Sequence, residues 1–212
     1  MTKVYDWQEE IKKEEVNECV KTLQNGGLIV FPTETVYGIG ANAYCKESVE
    51  KIYEVKKRPE EKPLSIMVSS TREISKYAVI NNDVERYIIE NFMPGPLTII
   101  LTKKEGVFDY ISSGKNTIGI RIPDNDMIME ILKESELPIV APSANISGEP
   151  SGVVFEDILK DFNGKVDICI NGGKPKISEP STIVQVIDGE PVIIREGKIT
   201  LDEIKRGGRK CI

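Results

Sequence analysis

Short apolar runs of strand length alternate with segments of helical period from residue 16 to residue 195, which restricts the chain to an α/β architecture. Val16, Cys19, Val20 and Leu23 repeat at i, i+3, i+4 and i+7, and Asn25-Gly26-Gly27 stops that helix. Leu28–Phe31 is then a short buried strand ended by Pro32. Val49, Ile52, Tyr53 and Lys56 mark a second helix, which Pro59 must terminate because the residue before a proline is pushed out of the helical region. Further strands are expected at 64–68, 97–101, 118–122, 139–141 and near Ile168, with helices at 84–92, 127–133 and 155–162. Asp188-Gly189 turns a hairpin between 182–186 and 192–195. With no linker, repeat or low-complexity block, the expectation is one domain over 1–212, its core about 15–200. It would be a twisted mixed sheet with flanking helices and a short basic tail at Arg206-Gly-Gly-Arg-Lys.

Composition then narrows the chemistry. The chain has no histidine, which removes Ser-His-Asp and Cys-His catalysis and His-ligated zinc together. Lys, Arg, carboxylates, hydroxyls, backbone amides or an oxygen-held metal must do any work. A net charge of −6 argues against a wholly basic nucleic-acid coat, yet a local basic cleft depends on placement and not on the sum. Cys19, Cys45, Cys169 and Cys211 show no C-x-x-C spacing, and Cys19 and Cys169 fall where buried free thiols belong. The N-terminus lacks an apolar signal core and no apolar run approaches membrane-spanning length, so a cytoplasmic protein with no membrane partner is expected.

Four segments carry candidate chemistry. Pro32-Thr33-Glu34-Thr35-Val36-Tyr37-Gly38-Ile39-Gly40-Ala41-Asn42-Ala43 begins at a strand end and offers hydroxyls, a carboxylate and close-spaced glycines. Its Gly38-x-Gly40-x-x-Ala43 pattern fits a dinucleotide fingerprint poorly, since Lys56 to Arg58 stand where an acidic residue belongs. Lys56-Lys57-Arg58-Pro59-Glu60-Glu61-Lys62-Pro63-Leu64 sets cations on a proline-stiffened loop, suited to phosphate or carboxylate. Ala141-Pro142-Ser143-Ala144-Asn145-Ile146-Ser147-Gly148-Glu149-Pro150-Ser151-Gly152 supplies neutral donors after a buried strand. Thr117 and Arg121 share one face of their strand while isoleucines take the other, and Ser181 and Arg195 bound the hairpin. No Walker lysine motif occurs, so ATP would be held by a site of another kind.

In this order the segments resemble the YrdC-like family, the L-threonylcarbamoyladenylate synthases. The matching residues are P-T-E-T-V-Y-G-I-G at 32–40, Lys56 and Arg58 with Lys62-Pro63-Leu64, and P-G-P-L-T at 94–98. T-I-G-I-R-I-P at 117–123, P-S-A-N-I-S-G at 142–148 and P-S-T-I-V at 180–184 complete the set. The resemblance implies a twisted α/β fold with a positively charged cleft, and a chain ending soon after Arg195 resembles the short form. It implies that L-threonine, bicarbonate and ATP become threonylcarbamoyl-AMP and pyrophosphate, for use by a downstream tRNA threonylcarbamoyl transferase, with a weak tRNA contact left open.

Carried over by motif, Thr33, Thr35, Arg121 and Ser181 would lie at the threonine. Lys56, Arg58, Lys62, Thr117, Ser143, Asn145, Ser151 and Arg195 would surround the nucleotide, with Lys56, Arg58, Ser143 and Asn145 nearest the chemistry. No carboxylate cluster suggests a dedicated metal cage, so Mg2+ is expected to arrive with ATP. The competing expectation is an RNA-binding module without catalysis, which the 6% aromatic content and acidic balance disfavour.

Overall fold

The computed structural model describes residues 1–208; Arg209, Lys210, Cys211 and Ile212, with the end of the expected basic tail, lie outside the described residues. The chain runs β1 (Lys3–Asp6), α1 (Lys13–Gln24), β2 (Ile29–Phe31), β3 (Gly38–Asn42), α2 (Lys46–Lys56), β4 (Ser65–Met67) and α3 (Thr71–Tyr77). It continues through β5 (Ala78–Val79), α4 (Asp83–Phe92), β6 (Leu97–Lys103), α5 (Asp109–Ser112), β7 (Thr117–Arg121) and α6 (Asp126–Ser135). The last elements are β8 (Ile139–Val140), α7 (Phe155–Phe162), β9 (Ile168–Asn171), β10 (Thr182–Ile187), β11 (Glu190–Arg195) and α8 (Leu201–Gly208).

The strands join into one mixed sheet of order β1-β9-β2-β3-β8-β4-β7-β6-β10-β11, with β5 on β6. The period of two divides its faces. On one face Leu28, Val30, Ile39, Ile66, Ile99, Ile118, Ile120 and Val184 join the larger core. On the other, Ile29, Phe31, Ile139, Ile168 and Ile170 pack with Trp7 and the apolar stripes of α1 and α6. That second layer reaches β4 at Met67 and no further. Beyond it the same face of β7, β6 and β10 carries half-buried residues, and there the site lies.

Several elements were not anticipated. β1 is an edge strand pairing in parallel with β9 and burying only Tyr5, too little pattern to read in four residues. The segment 32–43, where no strand was expected after Pro32, contains β3, buried along its whole length and antiparallel to β2. Its glycines answer to packing, because a Cβ on Gly40 would stand 2.6 Å from the Phe31 ring and one on Gly38 3.0 Å from it. α3, β5 and α5 are too short to show a period.

Cys19 and Cys169 are fully buried, and burial pushes both thiols up to about 12, whereas Cys45 is partly open. Iodoacetamide at pH 8 should therefore modify Cys45 in the native protein, and Cys19 and Cys169 only after unfolding. Peptide mass mapping reads the order, and labelling of Cys169 as fast as Cys45 would contradict this packing.

Candidate functional site

The uncovered face of the sheet is the floor of a cavity of about 430 Å3. Alternate residues supply it: Ser65 and Met67 from β4, Thr117, Gly119 and Arg121 from β7, Thr98 and Ile100 from β6, Ile183 and Gln185 from β10. Register lines them up, with Ser65 opposite Gly119, Gly119 opposite Ile100 and Ile100 opposite Gln185. Gly119 keeps the floor low, since a Cβ there would meet the Ser65 Cβ at 3.0 Å. The walls come from the segment after β2, from Arg58 to Leu64, from Pro142-Ser143, and from Ser181 with Arg195.

The Thr33–Val36 wall is a relay. Arg121 donates to Thr35 Oγ1 at 2.9 Å, the Thr35 and Thr33 hydroxyls lie 2.8 Å apart, and Thr33 donates to the Val36 carbonyl at 2.6 Å. A hydroxyl has one proton, so Thr35 must donate to Thr33. The buried Glu34 carboxylate stands 2.7 Å from the same guanidinium, but out of line for a hydrogen bond, which makes the contact an ion pair. Arg121 Nε donates to the Gly95 carbonyl at 3.2 Å. Cavity-lining Arg121 is thus aimed by three backing contacts.

Arg58 and Arg195 are oriented by carbonyl oxygens. Arg58 donates to the carbonyls of Lys62 at 3.3 Å and Pro63 at 2.9 Å. Arg195 donates to the Ser181 carbonyl at 2.6 Å and 3.1 Å and to its hydroxyl at 3.0 Å. Burial lowers the pKa of both guanidiniums, and the charges of Arg121 and Arg58 lower Arg195 further, a sign of converging like charge. Arg58, Arg121, Arg195 and Lys115 line the cavity, and among the described residues no carboxylate does.

Of the residues singled out from sequence, Thr33, Arg58, Thr117, Arg121, Ser143, Ser181 and Arg195 line the cavity; Thr35, Lys56, Lys62, Asn145 and Ser151 do not. Thr35 is behind the wall as the acceptor for Arg121. Lys56, expected as a mobile charge on phosphate, is 2% exposed and donates into the 143–145 loop. Lys62 contributes its carbonyl to Arg58 and Tyr53 while its side chain meets solvent. Asn145 is spent on its own loop, bonding Ile146 and Glu149 carbonyls at 2.9 and 2.7 Å. Ser151 lies farther along that loop, next to Gly152, whose carbonyl accepts from Tyr37 N.

Lys115, Gln185, Ile194 and Tyr37 line the cavity without having been singled out. Parity could have found two of them: Lys115 precedes Thr117 by two, and Gln185 follows Ser181 by four. Among the described residues no group of three His, Cys, Asp or Glu side chains could hold a metal ion, and no helix is long and apolar enough to cross a membrane.

Removing one member of a buried ion pair strands the other, so Glu34→Ala should cost about 3 kcal/mol of stability, measured by urea unfolding. Glu34→Ala with Arg121→Met should recover part of that loss. A cost below about 1 kcal/mol for the single change would show that the pair is not desolvated.

Known proteins similar to this chain in sequence and fold are consistent with one another. The Sua5/YciO/YrdC family model, described as "Telomere recombination", matches residues 21–197. A Methanocaldococcus jannaschii protein, provisionally named threonylcarbamoyl-AMP synthase, is 44% identical over 204 residues, 96% of each chain. The threonylcarbamoyl-AMP synthase of Pyrococcus abyssi is 36% identical over 206 residues, and the chain spans 61% of its length. Among solved structures, P. abyssi Sua5 complexed with L-threonine matches 97% of this chain with a TM-score of 0.93, and E. coli YciO matches 96% with a TM-score of 0.86 at 25% identity.

Proposed function

Because the chain belongs to the Sua5/YciO/YrdC family, we propose that it is an L-threonylcarbamoyladenylate synthase, joining L-threonine, bicarbonate and ATP with release of pyrophosphate. The observation that carries this reading is the convergence of Arg58, Arg121, Arg195 and Lys115 on a cavity that no carboxylate of the described residues lines. All three substrates carry negative charge, and an anion in the cavity offsets the mutual repulsion of those cations.

The reaction needs no histidine. The threonine amine, once deprotonated, attacks the bicarbonate carbon, and loss of hydroxide, as water after protonation, leaves a carbamate. A carbamate oxygen then attacks the α-phosphorus of ATP as pyrophosphate departs. Each step gathers anions, so the protein contributes mainly alignment and charge stabilisation. Arg121, aimed by Thr35 and Glu34, and Ser181 are assigned to the threonine carboxylate or carbamate. Arg58, Arg195, Thr117 and Ser143 are assigned to the nucleotide and its phosphates, and Lys115 to the cavity's outer edge.

Mg2+ is assigned to the incoming nucleotide, because the lining residues offer it no carboxylate, and it supplies charge neutralisation on the phosphates. The adenylate would pass to a tRNA threonylcarbamoyl transferase in the cytoplasm. An RNA-binding module without catalysis is the weaker reading: the aromatic content is 6% and the net charge −6.

Pyrophosphate release from ATP should require both threonine and bicarbonate, with no tRNA present. Release that depends on RNA alone would reject the synthase reading. Arg58→Ala should lower turnover by roughly 10²-fold or more while the fold stays intact and the melting temperature does not fall, through lost charge stabilisation at a reacting phosphate. Wild-type turnover in that variant would remove Arg58 from the site.

A further inference from the structure

Lys56 is among the largest fully buried side chains, and no salt bridge accompanies it among the described residues. An ammonium has three N–H donors, and three acceptors take them: the Ser143 carbonyl, the Asn145 carbonyl at 2.6 Å and Asn145 Oδ1 at 3.4 Å. Asn145 is equally spent. Its Oδ1 also accepts from Ser143 Oγ at 2.5 Å, and its Nδ2 donates to the carbonyls of Ile146 and Glu149. The opposite amide orientation would turn the NH2 group toward an ammonium, so the acceptors fix the assignment.

The backbone closes the loop in the other direction. Ser147 N donates to the Lys56 carbonyl at 2.8 Å, satisfying a carbonyl left free at the end of α2. Lys57 then turns left-handed at φ 51°, and Arg58 N returns to the Tyr53 carbonyl at 2.8 Å. One helix end thus sends Lys56 inward and Arg58 into the cavity. On the far side Ser143 is tied to β3 by an antiparallel bridge to Gly38.

We propose that Lys56 and Asn145 are positioning residues that touch neither phosphate nor threonine: they form a bracket around the buried Lys56 ammonium that rivets the Arg58 turn to the Ser143 loop. The bracket fixes the spacing of two cavity walls with a charge that three oxygens satisfy, leaving no donor for a substrate. Burial, followed by the charge of Arg58, lowers the Lys56 ammonium to about 8, consistent with a cation enclosed away from solvent. The catalytic part of this inference rests on the synthase reading; the bracket itself does not.

Nitrogen-15 NMR on the full chain separates the two. In the substrate-free protein the Lys56 ammonium, identified by its loss in Lys56→Met, should exchange slowly with water, and Asn145→Ala, which removes one of its three acceptors and unties the 143–149 loop, should weaken that protection. Fast exchange in the wild type, or protection unchanged in Asn145→Ala, would overturn the bracket. Saturating sodium pyrophosphate should shift the Arg58 Nε signal and leave the Lys56 ammonium in place. A Lys56 shift that follows the Arg58 titration would make it a phosphate ligand and overturn the proposal. If pyrophosphate moves neither signal, the synthase reading suffers while the exchange result still decides the bracket.

In kinetics, Lys56→Met and Asn145→Ala should each lower kcat/KM by roughly 10²-fold, and the double variant should be little worse than either, because one unit is broken once. Losses that multiply to roughly 10⁴-fold would mean two independent substrate contacts.

Discussion

Positive charge oriented by backbone carbonyls is the constraint on which the site depends. Arg58 is held by the carbonyls of Lys62 and Pro63, Arg195 by that of Ser181, and Lys56 by those of Ser143 and Asn145. A carbonyl dipole fixes the direction of a guanidinium without cancelling its charge, as a carboxylate would. Among the described residues Arg121 is the one cavity cation with an acidic partner, Glu34, placed behind it and outside the cavity lining. The result is a cluster of cations kept apart in fixed positions and left with charge to offer an anion. Such a cluster costs stability in the empty protein, a common feature of sites adapted to chemistry.

The sheet makes that cluster feasible. Helices α1 and α6 cover one face as far as Met67, while the opposite face is backed along its length by the larger core. An antiparallel and parallel mixture brings β4, β7, β6 and β10 side by side, so that residues distant in sequence meet at one register. Rigid strands position Thr117, Arg121 and Thr98, and two loops closed by short contacts bring Arg58 and Ser143 above them.

Much of this was legible in the sequence because helices and buried strands impose periods of 3.6 and two. The parity of Thr117 and Arg121 against Ile118 and Ile120 read the site face and the core face of β7 correctly. β3 was not legible: Gly38 and Gly40 look like turn residues, and only the Phe31 ring packed over them explains a strand there. The inward course of Lys56 was equally hidden, because the residues that accept its hydrogen bonds lie 87 and 89 positions away. Composition distinguishes a charged residue from an apolar one, but the direction of a side chain at a helix end is set by tertiary partners.

A site built this way performs chemistry through placement, and its product should carry the carbon of bicarbonate between threonine and the nucleotide. Incubation with 13C-bicarbonate, L-threonine and ATP, followed by mass spectrometry of the adenylate, tests that claim most directly. The account predicts a threonylcarbamoyl-AMP heavier by one 13C, formed mole for mole with pyrophosphate. An unlabelled threonyl adenylate, or AMP appearing without any carbamoylated intermediate, would contradict it.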